Sequence, residues 1–332
     1  MPKRHGNLYE HAFTLDRLHA AYLRARRGKR KTLSVKRFER DLGANLAAIH
    51  DDLTSGDYRP QPYRHFTVYG PKPRRIAAPT FRDVVVQHAI YAMISPIFEA
   101  TFIDQSYGCR AGGGAHRASD YLQSAMRAAP EDAVLLQMDI RKFYYRIDHA
   151  ILRSLIERKI KDRALVDLMM RFACDGSGTI GLPIGNLLSQ IYALIYLDAM
   201  DHFIKRDMKV KRYARYVDDF VIIAEDRETA RRIKGQIEAF LSDRLNLELS
   251  KWRIATPRQG TNFVGFRTWR SRRFVRKRAL YNFSKALREG RVDSLTSIMG
   301  HAKRTSSYAH MARRLSAERP DLKLPRKLEA TL

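Results

Sequence analysis

The sequence predicts an α+β fold, and three observations support this class. Segments with apolar residues at helical spacing, such as residues 14–55 and 82–98, alternate with short apolar runs that are typical of strands. Two such runs, at residues 212–216 and 220–223, flank an acidic pair and indicate a β-hairpin. Hydrophobic residues make up 45% of the 332-residue chain, which is enough for a core shared by two or three subdomains.

The elements follow from local signals along the chain. Prolines and glycines between residues 60 and 73 break the first helical segment, and a strand pair is expected at residues 65–69 and 74–77. Residues 132–140 read as a buried strand, after which Asp148 can cap a helix. Further helices are expected from about residue 186 to 203 and from 226 to 245, followed by a basic, mostly helical tail after Phe266.

Positive charge is concentrated at the two ends of the chain. The net charge is +27, and residues 1–40 hold 12 Lys/Arg against 3 Asp/Glu, while residues 266–332 hold 18 against 5. Such ends favour a polyanionic partner, because binding releases counterions; a merely soluble basic surface is the alternative. The two cysteines predict no disulfide framework, and no stretch predicts a signal peptide or membrane span, so a cytoplasmic location is expected.

Three acids stand where apolar strands end or turn. Asp139 ends one apolar run, and Asp218 and Asp219 interrupt another. Carboxylates at the ends of buried strands lose hydration, and divalent cations can compensate for that cost. Helix caps and turn acids are the alternative for any single Asp, but the joint pattern favours a two-metal site for phosphoryl transfer.

The segments around these acids resemble reverse transcriptases. The sequence YVDD at residues 216–219 matches the YxDD box of that family, and DIRKFY at residues 139–144 resembles its first palm motif. The resemblance runs from about His5 to beyond Gly265. It implies a right-hand polymerase fold, divided into an N-terminal basic helical extension, fingers, a palm with an antiparallel sheet that carries the YxDD hairpin, and a helical thumb. The corresponding segments are residues 1–60, 61–130, 131–265 and 266–332.

One block points to a subfamily. Residues 181–190 read GLPIGNLLSQ, where most reverse transcriptases have Gln-Gly and later Ser-Pro. This pattern resembles the bacterial and phage reverse transcriptases of diversity-generating retroelements, which implies error-prone copying at template adenines and targeted mutagenesis. Ile184 has no amide with which to hold a base or nucleotide, and fewer polar contacts reduce discrimination. The hypothesis is that Ile184 and Gln190 relax fidelity.

The resemblance also implies roles for individual residues. Asp139, Asp218 and the main chain of Ile140 would hold two Mg²⁺ ions, with Mn²⁺ as a substitute, while Asp219 supports the site. Lys251 would be the general acid that protonates pyrophosphate, or else a surface lysine. The implied nucleotide-binding residues are Lys72, Arg74, Arg75, Tyr144, Ile184, Gly185 and Gln190. The implied primer and template contacts are Arg110, Tyr216, Phe263, Gly265, Arg267, Arg273, Arg276 and Lys277.

Several of these assignments have structural alternatives. Tyr144 would be the gate that excludes the ribose 2′-hydroxyl, and an ordinary core aromatic is the other interpretation. Arg74 would grip the triphosphate, and a solvated basic turn is its alternative. Residues 262–266, which resemble the block that positions the primer end, also suit a short core strand.

The expected partners are a structured template RNA, the RNA/DNA or cDNA duplex, and dNTPs. In the family that the block at 181–190 indicates, a small basic accessory protein that forms an oligomeric helical barrel also takes part. Two alternatives remain open. One is another bacterial reverse transcriptase of the group II intron, retron or defence-associated type, and the other is a noncatalytic RNA-binding protein with a polymerase fold.

Overall fold

The computed structural model describes residues 4–70, 73–176, 178–322 and 325. The chain separates into two compact units, each built from discontinuous segments. The first unit comprises Met1–Ile103, Arg141–Phe203 and Ala239–Glu248, and the second comprises Asp104–Ile140, Ile204–Glu238 and Leu249–Leu332. Among the helices of the described ranges, none is both long and apolar enough to cross a membrane. The division into four consecutive segments stays a prediction.

The first unit is mainly helical and carries one two-stranded sheet. Its N-terminal helices are α1 (Leu8–Ala12), α2 (Leu15–Ala25), α3 (Leu33–Arg40) and α4 (Leu42–Thr54). The expected strand pair is confirmed as β1 (Arg64–Val68) and β2 (Arg74–Ala78), which run antiparallel with Phe66 opposite Ile76. All five residues of β1 are exposed, so β1 is not part of the core, whereas β2 buries Ala77.

Side-chain caps fix the helices that follow. Helix α5 (Phe81–Glu99) begins where the Thr80 hydroxyl accepts a hydrogen bond from the Asp83 main chain. The buried Asp83 carboxylate accepts from the Tyr58 hydroxyl at 2.6 Å and from the Gln61 main chain at 3.1 Å. These bonds attach the segment before β1 to the start of α5.

The remaining helices of the first unit are α7 (Phe143–Arg146), α8 (His149–Glu157), α9 (Arg163–Ala173) and α10 (Leu187–His202). Asp148 caps α8, as the sequence predicts, by accepting from the main chain of Ala150 and Ile151. Asn186 caps α10 in the same way, and its amide donates to Phe172 O at 2.9 Å. Helix α10 is buried on most of its faces, which explains its continuous apolar sequence.

The second unit is built on a four-stranded antiparallel sheet in the order β4-β5-β3-β6. The strands are β3 (Val134–Ile140), β4 (Arg212–Tyr216), β5 (Asp219–Ala224) and β6 (Leu249–Ala255). The predicted strand before Asp139 and the predicted hairpin around residues 217–218 are both confirmed. Helix α6 (Ala115–Arg127) packs on this sheet, where Leu122 and Met126 share a buried cluster with Leu135 and Val221.

The tail after Phe266 begins with strands rather than helix. A three-stranded antiparallel sheet is formed by β7 (Thr261–Phe263), β8 (Phe266–Thr268) and β9 (Arg273–Val275). The end residues of β8 and β9 are buried and their middle residues are more exposed, which is the alternation expected of a strand covered on one face. In the sequence, the many arginines hide this short pattern. Three helices follow and share a core around Phe283 and Met299. They are α12 (Lys277–Arg288), α13 (Val292–Ala302) and α14 (Ser307–Glu318).

Helix α11 (Arg227–Leu245) follows β5, close to the predicted range. A single π-helical turn at Phe203–Asp207 precedes β4.

Candidate active site

The three predicted acids meet at one end of the four-stranded sheet. Asp139, near the end of β3, lies directly opposite Asp219, the first residue of β5. Residues directly opposite in an antiparallel pair project to the same face. The Asp218 main-chain oxygen, in the turn of the hairpin, accepts a hydrogen bond from Ile140 N at 3.2 Å. The sheet register therefore gathers carboxylates that lie about eighty residues apart in sequence.

The electrostatics at this end of the sheet favour a cation. Burial, with a smaller contribution from the negative charges of Asp139 and Asp218, raises the pKa of Asp219 to about 6. A hydrogen bond from Gln137 Nε2 to Asp219 Oδ1, at 3.1 Å, and the charge of Arg276 act in the opposite direction. A divalent cation stabilises clustered, partly buried carboxylates because it neutralises their charge.

The site offers few protein donors for a metal ion. In the part of the chain that the structure describes, no three His, Cys, Asp or Glu side chains converge to hold a metal ion. The predicted ligands at this position are the carboxylates of Asp139 and Asp218 and an oxygen of Ile140. Mg²⁺ commonly takes one or two carboxylates and completes its shell with water and substrate phosphates, so these residues fit the ion.

Neighbouring side chains orient these acids, and the sequence analysis did not identify these neighbours. The Ser250 hydroxyl donates to the main-chain oxygen of Asp139 at 3.2 Å and also to its carboxylate. Gln137 Nε2 bonds to Asn262 O at 2.6 Å as well as to Asp219, which connects β3, β5 and β7. The available signal was strand alternation, since Gln137 lies two residues before Asp139 on the same face.

A buried arginine braces the turn of the hairpin. Arg215 is fully buried, and its guanidinium donates to Val217 O at 3.0 Å. Val217 has a φ of 58°, which is strained for a β-branched residue. The main chain of Arg215 bonds to Gln105 and Tyr107, both at 2.9 Å, which adds a neighbouring segment beside β4.

Gly108 completes this brace. A Cβ atom at Gly108 would lie 2.7 Å from Val217 Cγ2 and 2.8 Å from Val217 N. Because the second atom is main chain, the turn would have to shift to accept any other residue. The tight approach of Gly108 therefore fixes the turn from the side of the 105–107 segment.

Lys251 lies opposite Asp139 on β6 and is exposed. It therefore projects to the same face as the carboxylates, as a residue that meets the leaving group should. Its role as a general acid stays a prediction.

The profile of the reverse transcriptase (RNA-dependent DNA polymerase) family matches residues 70–268, which is more than half of the chain. The chain belongs to the reverse transcriptase family. A curated relative, the group II intron-encoded protein LtrA of Lactococcus lactis subsp. cremoris, is 26% identical over 296 residues. That match covers 67% of this chain and 49% of the relative. The chain is also 26% identical over 290 residues to protein YkfC of Escherichia coli K12, covering 72% of this chain and 74% of YkfC.

A solved structure supports the fold. The telomerase of Candida albicans, in complex with a TWJ fragment of telomeric RNA, superposes with a TM-score of 0.51 and 13% identity. The match covers 79% of this chain and 55% of the telomerase chain. The reverse transcriptase chain is thus a mixed helix and sheet structure similar to a telomerase.

The predicted nucleotide-binding residues of this reverse transcriptase lie in the first unit. Arg74 and Arg75 are exposed on β2, and Lys72 lies outside the described residues. The block at 181–190 contacts this strand, since Ala77 N donates to Ile184 O at 2.8 Å. A Cβ atom at Gly185, whose φ is 114°, would lie 2.8 Å from Ile76 Cγ2. The structure therefore brings Ile184 and Gly185 against the arginine-bearing strand.

Two further nucleotide candidates lie elsewhere in the first unit. Tyr144 is half-buried in α7, where its main-chain oxygen accepts from Leu182 N at 2.7 Å. Gln190 is exposed on α10, whereas the preceding Ser189 is buried and donates to Pro183 O at 2.8 Å. Of the Ser-Gln pair, only Gln190 has a side chain available for a ligand.

Two predicted primer or template contacts are corrected by the structure. Phe263 is fully buried in the cluster on the sheet, so it is a core residue. Arg273 is also buried, and its guanidinium pairs with Asp120 at 2.6 Å, which occupies the charge that would meet a phosphate. Both errors have one cause, since a three-residue strand in a basic segment gives no reliable sign of which face is covered.

The remaining strand-contact candidates of the second unit differ in exposure. Arg267, Arg276 and Lys277 are exposed, and Arg267 lies over the Trp269 ring at 4.9 Å. Tyr216 and Arg110 are half-buried, and the guanidinium of Arg110 donates to Ser106 O at 3.0 Å. Gly265 approaches His301, since a Cβ there would lie 2.8 Å from His301 Nε2. Gly265 thus packs against a side chain of its own unit.

Proposed function

We propose that this protein is an RNA-directed DNA polymerase. The single observation that carries the proposal is the register of β3 and β5, which places Asp139 opposite Asp219 with Asp218 in the adjoining turn. In the proposed reaction the primer 3′-hydroxyl attacks the α-phosphate of a dNTP, and pyrophosphate leaves. The protein contributes positioning and charge stabilisation rather than a covalent intermediate.

The carboxylates of Asp139 and Asp218 and the carbonyl of Ile140 would hold two Mg²⁺ ions, for which Mn²⁺ can substitute. Bound there, the ions would supply charge neutralisation at the attacking and leaving oxygens. Asp219 supports the site through Gln137, and Ser250 orients Asp139. Lys251, on the same face, is proposed to donate the proton that pyrophosphate takes up as it leaves.

The architecture is proposed to be that of a right hand. The sheet β4-β5-β3-β6 is the palm, the exposed β1–β2 hairpin belongs to the fingers, and helices α12–α14 form the thumb. Arg74, Arg75, Tyr144, Gly185 and Lys72 would contact the nucleotide. The exposed cations Arg267, Arg276 and Lys277 would meet the phosphates of the duplex, which positions it without reading sequence.

Primer extension on an RNA template tests the activity. Asp218→Ala and Asp139→Ala should each lower the single-nucleotide incorporation rate by about a thousandfold or more, because charge-stabilising groups of this kind contribute several kcal/mol. Asp243→Ala, at an exposed position on α11, is the matched control and should extend normally. Extension that survives the loss of either site carboxylate would refute the mechanism, and absence of extension by the intact protein would favour the noncatalytic alternative.

The subtype is proposed to be the reverse transcriptase of a diversity-generating retroelement, with errors concentrated at template adenines. The support is Ile184-Gly185 in place of Gln-Gly, at a position where Ile184 O bonds to the arginine-bearing strand. Ile184→Gln should reduce misincorporation opposite adenine relative to the other three bases. An unchanged error spectrum in sequenced cDNA would remove Ile184 from the proposal, and the same test on Gln190→Pro addresses the second position.

A group II intron-encoded reverse transcriptase is the second candidate, and the relative from Lactococcus lactis favours it. The neighbouring DNA separates the two candidates. A diversity-generating element should show two near-identical repeats that differ mainly at adenines, beside a gene for a small basic accessory protein.

The proposed partners are a structured template RNA, the cDNA duplex, dNTPs and that accessory protein, in the cytoplasm of a bacterium. Extension on the native RNA with and without the accessory protein, followed by sequencing of the products, tests this set. Equal yield and equal errors in both reactions would show that the accessory protein is not needed for copying.

A further inference from the structure

A cavity of about 490 Å³ lies in the second unit beside the three-stranded sheet. One part of its wall is apolar and aromatic, formed by Trp269, Phe274 and Leu280. This volume falls within the range of small-molecule sites in proteins, which combine an apolar wall with a few placed polar groups. The cavity can therefore hold a group about the size of one nucleotide.

Apart from Val275, the rest of the lining is polar and basic. Arg267, Arg276, Lys277 and Arg278 contribute four cations, and Asn262 is the polar uncharged member. Among the residues that the structure describes, no acidic one lines this cavity. Such a rim can bind a phosphate group, whereas the aromatic wall can stack against a planar ring. A nucleotide contains both groups.

Trp269 is held rigidly in this wall. Its indole nitrogen donates to Arg258 O at 3.2 Å, and Phe274 meets the ring edge-on at a centroid distance of 5.9 Å. A Cβ atom at Gly260, whose φ is 67°, would lie 2.7 Å from Trp269 Cε2. A fixed ring loses little entropy when a base stacks on it, which is the advantage of a preorganised aromatic anchor.

Arg267 adds a cation to the same ring. Its guanidinium lies 4.9 Å from the Trp269 centroid and donates to Gln259 O at 3.1 Å. Paired contacts of arginine and aromatic rings are common where proteins bind unpaired nucleic acid, because bases stack on the ring while cations follow the backbone. Contacts to a duplex backbone need only the cations and give no reason for an aromatic cavity.

We propose that this cavity binds one unpaired nucleotide of a bound nucleic-acid strand, with its base against Trp269 and its phosphate against Arg278. The inference rests on the proposed function, since template and product strands are what the enzyme would hold. It goes further by assigning a base-binding site outside the carboxylate centre. A free mononucleotide has the same chemistry, and the experiment distinguishes the two sources.

Trp269 fluorescence gives a direct test, because the chain has two tryptophans and Trp252→Phe leaves Trp269 alone. Single-stranded RNA should quench this emission, because a base stacks on the indole, and a fully paired duplex should quench it little. Absence of quenching, while fluorescence anisotropy shows that the labelled RNA is bound, would overturn the proposal. Equal quenching by an RNA of abasic residues would also overturn it, and quenching by AMP as strong as by the strand would overturn the assignment to a strand.

Two matched arginine variants test whether the RNA binds in this cavity. Arg278 lines this cavity, whereas Arg258 lines a neighbouring one with Trp269. Arg278→Gln should weaken RNA binding and quenching, and Arg258→Gln, which removes the same charge, should preserve the quenching. In anisotropy, Trp269→Leu should weaken single-strand binding about fivefold or more, the least expected from one lost stacked base. An equal effect of both arginine variants would overturn the choice of cavity.

Primer extension is measured on the same proteins. If the intact protein does not extend a primer but RNA quenches Trp269, the proposed function fails while the nucleotide site stands. If extension is normal and no quenching occurs, the cavity assignment fails while the polymerase activity stands.

Discussion

The two hairpins that carry the predicted chemistry differ in how they are supported. The β4–β5 hairpin belongs to a four-stranded sheet, and its turn is held by Arg215 and Gly108. The β1–β2 hairpin forms a sheet of two strands, and every residue of β1 is exposed. Carboxylates that share metal ions need positions fixed to a fraction of an ångström, whereas an arginine has a long side chain that can reach a triphosphate from a less strongly supported hairpin.

This contrast predicts that variants at the two hairpins alter different kinetic constants. Changes that loosen the braced turn should lower kcat, since the carboxylates are proposed to act on the transition state. Changes on the exposed hairpin should raise KM for the dNTP with little effect on folding. Among variants that leave the carboxylates in place, removing the brace gives the largest expected effect.

Arg215→Met keeps a long unbranched side chain but removes the donor to Val217 O. We expect kcat for single-nucleotide incorporation to fall by about a hundredfold, since displacements of about 1 Å at a reacting centre cost that much. Rapid-quench kinetics and a thermal melt measure the rate and the folding. Arg212→Met, on the same strand, is the control. A folded Arg215→Met enzyme with normal kcat would show that the turn needs no brace.

Gly108→Ala tests the other side of the same turn and is expected to have the next largest effect. The new Cβ would meet Val217 N at 2.8 Å, so the main chain must move, and such overpacking costs about 1–3 kcal/mol. We expect kcat to fall about tenfold at nearly constant KM. Gly235→Ala, where a Cβ meets nothing within 4 Å, is the matched control. A rise in KM instead would mean that the turn contacts the nucleotide.

The sequence predicts the two hairpins themselves better than it predicts the contacts that support them. Both strand pairs, and the acids in the turn of the β4–β5 hairpin, could be read from local alternation, because each signal lies within a few residues. The brace could not, since Gly108 and Val217 meet only after the chain has folded, and a lone arginine in a strand normally indicates an exposed edge. Phe263 and Arg273 were wrongly given to the nucleic-acid surface for the same reason, since burial depends on partners that are remote in sequence.

Arg74→Gln addresses the exposed hairpin. We expect KM for the dNTP to rise roughly three- to tenfold, because one charge-assisted hydrogen bond to phosphate contributes about 1.5–3 kcal/mol in a well-formed site and less on an exposed arm. The melting temperature should not change, since Arg74 is exposed. Arg64→Gln, on β1 of the same hairpin, is the control. A fall in kcat at constant KM would contradict the division of roles between the two hairpins.

The smallest expected effect concerns α5, the helix that follows the exposed hairpin. Burial lowers the pKa of His88 to about 4, and the charges of Lys29 and Arg24 act in the same direction. Between about pH 6.5 and pH 4, His88 is therefore protonated in the unfolded chain but neutral in the folded chain. The free energy of unfolding decreases as the pH falls through this range and is unaffected above it. Because the ring is partly exposed, the loss of stability should stay below about 1 kcal/mol.

Urea unfolding at pH 7 and pH 5 measures this loss, and His88→Gln should reduce the difference between the two midpoints. If the difference is the same in both proteins, the acid sensitivity arises elsewhere.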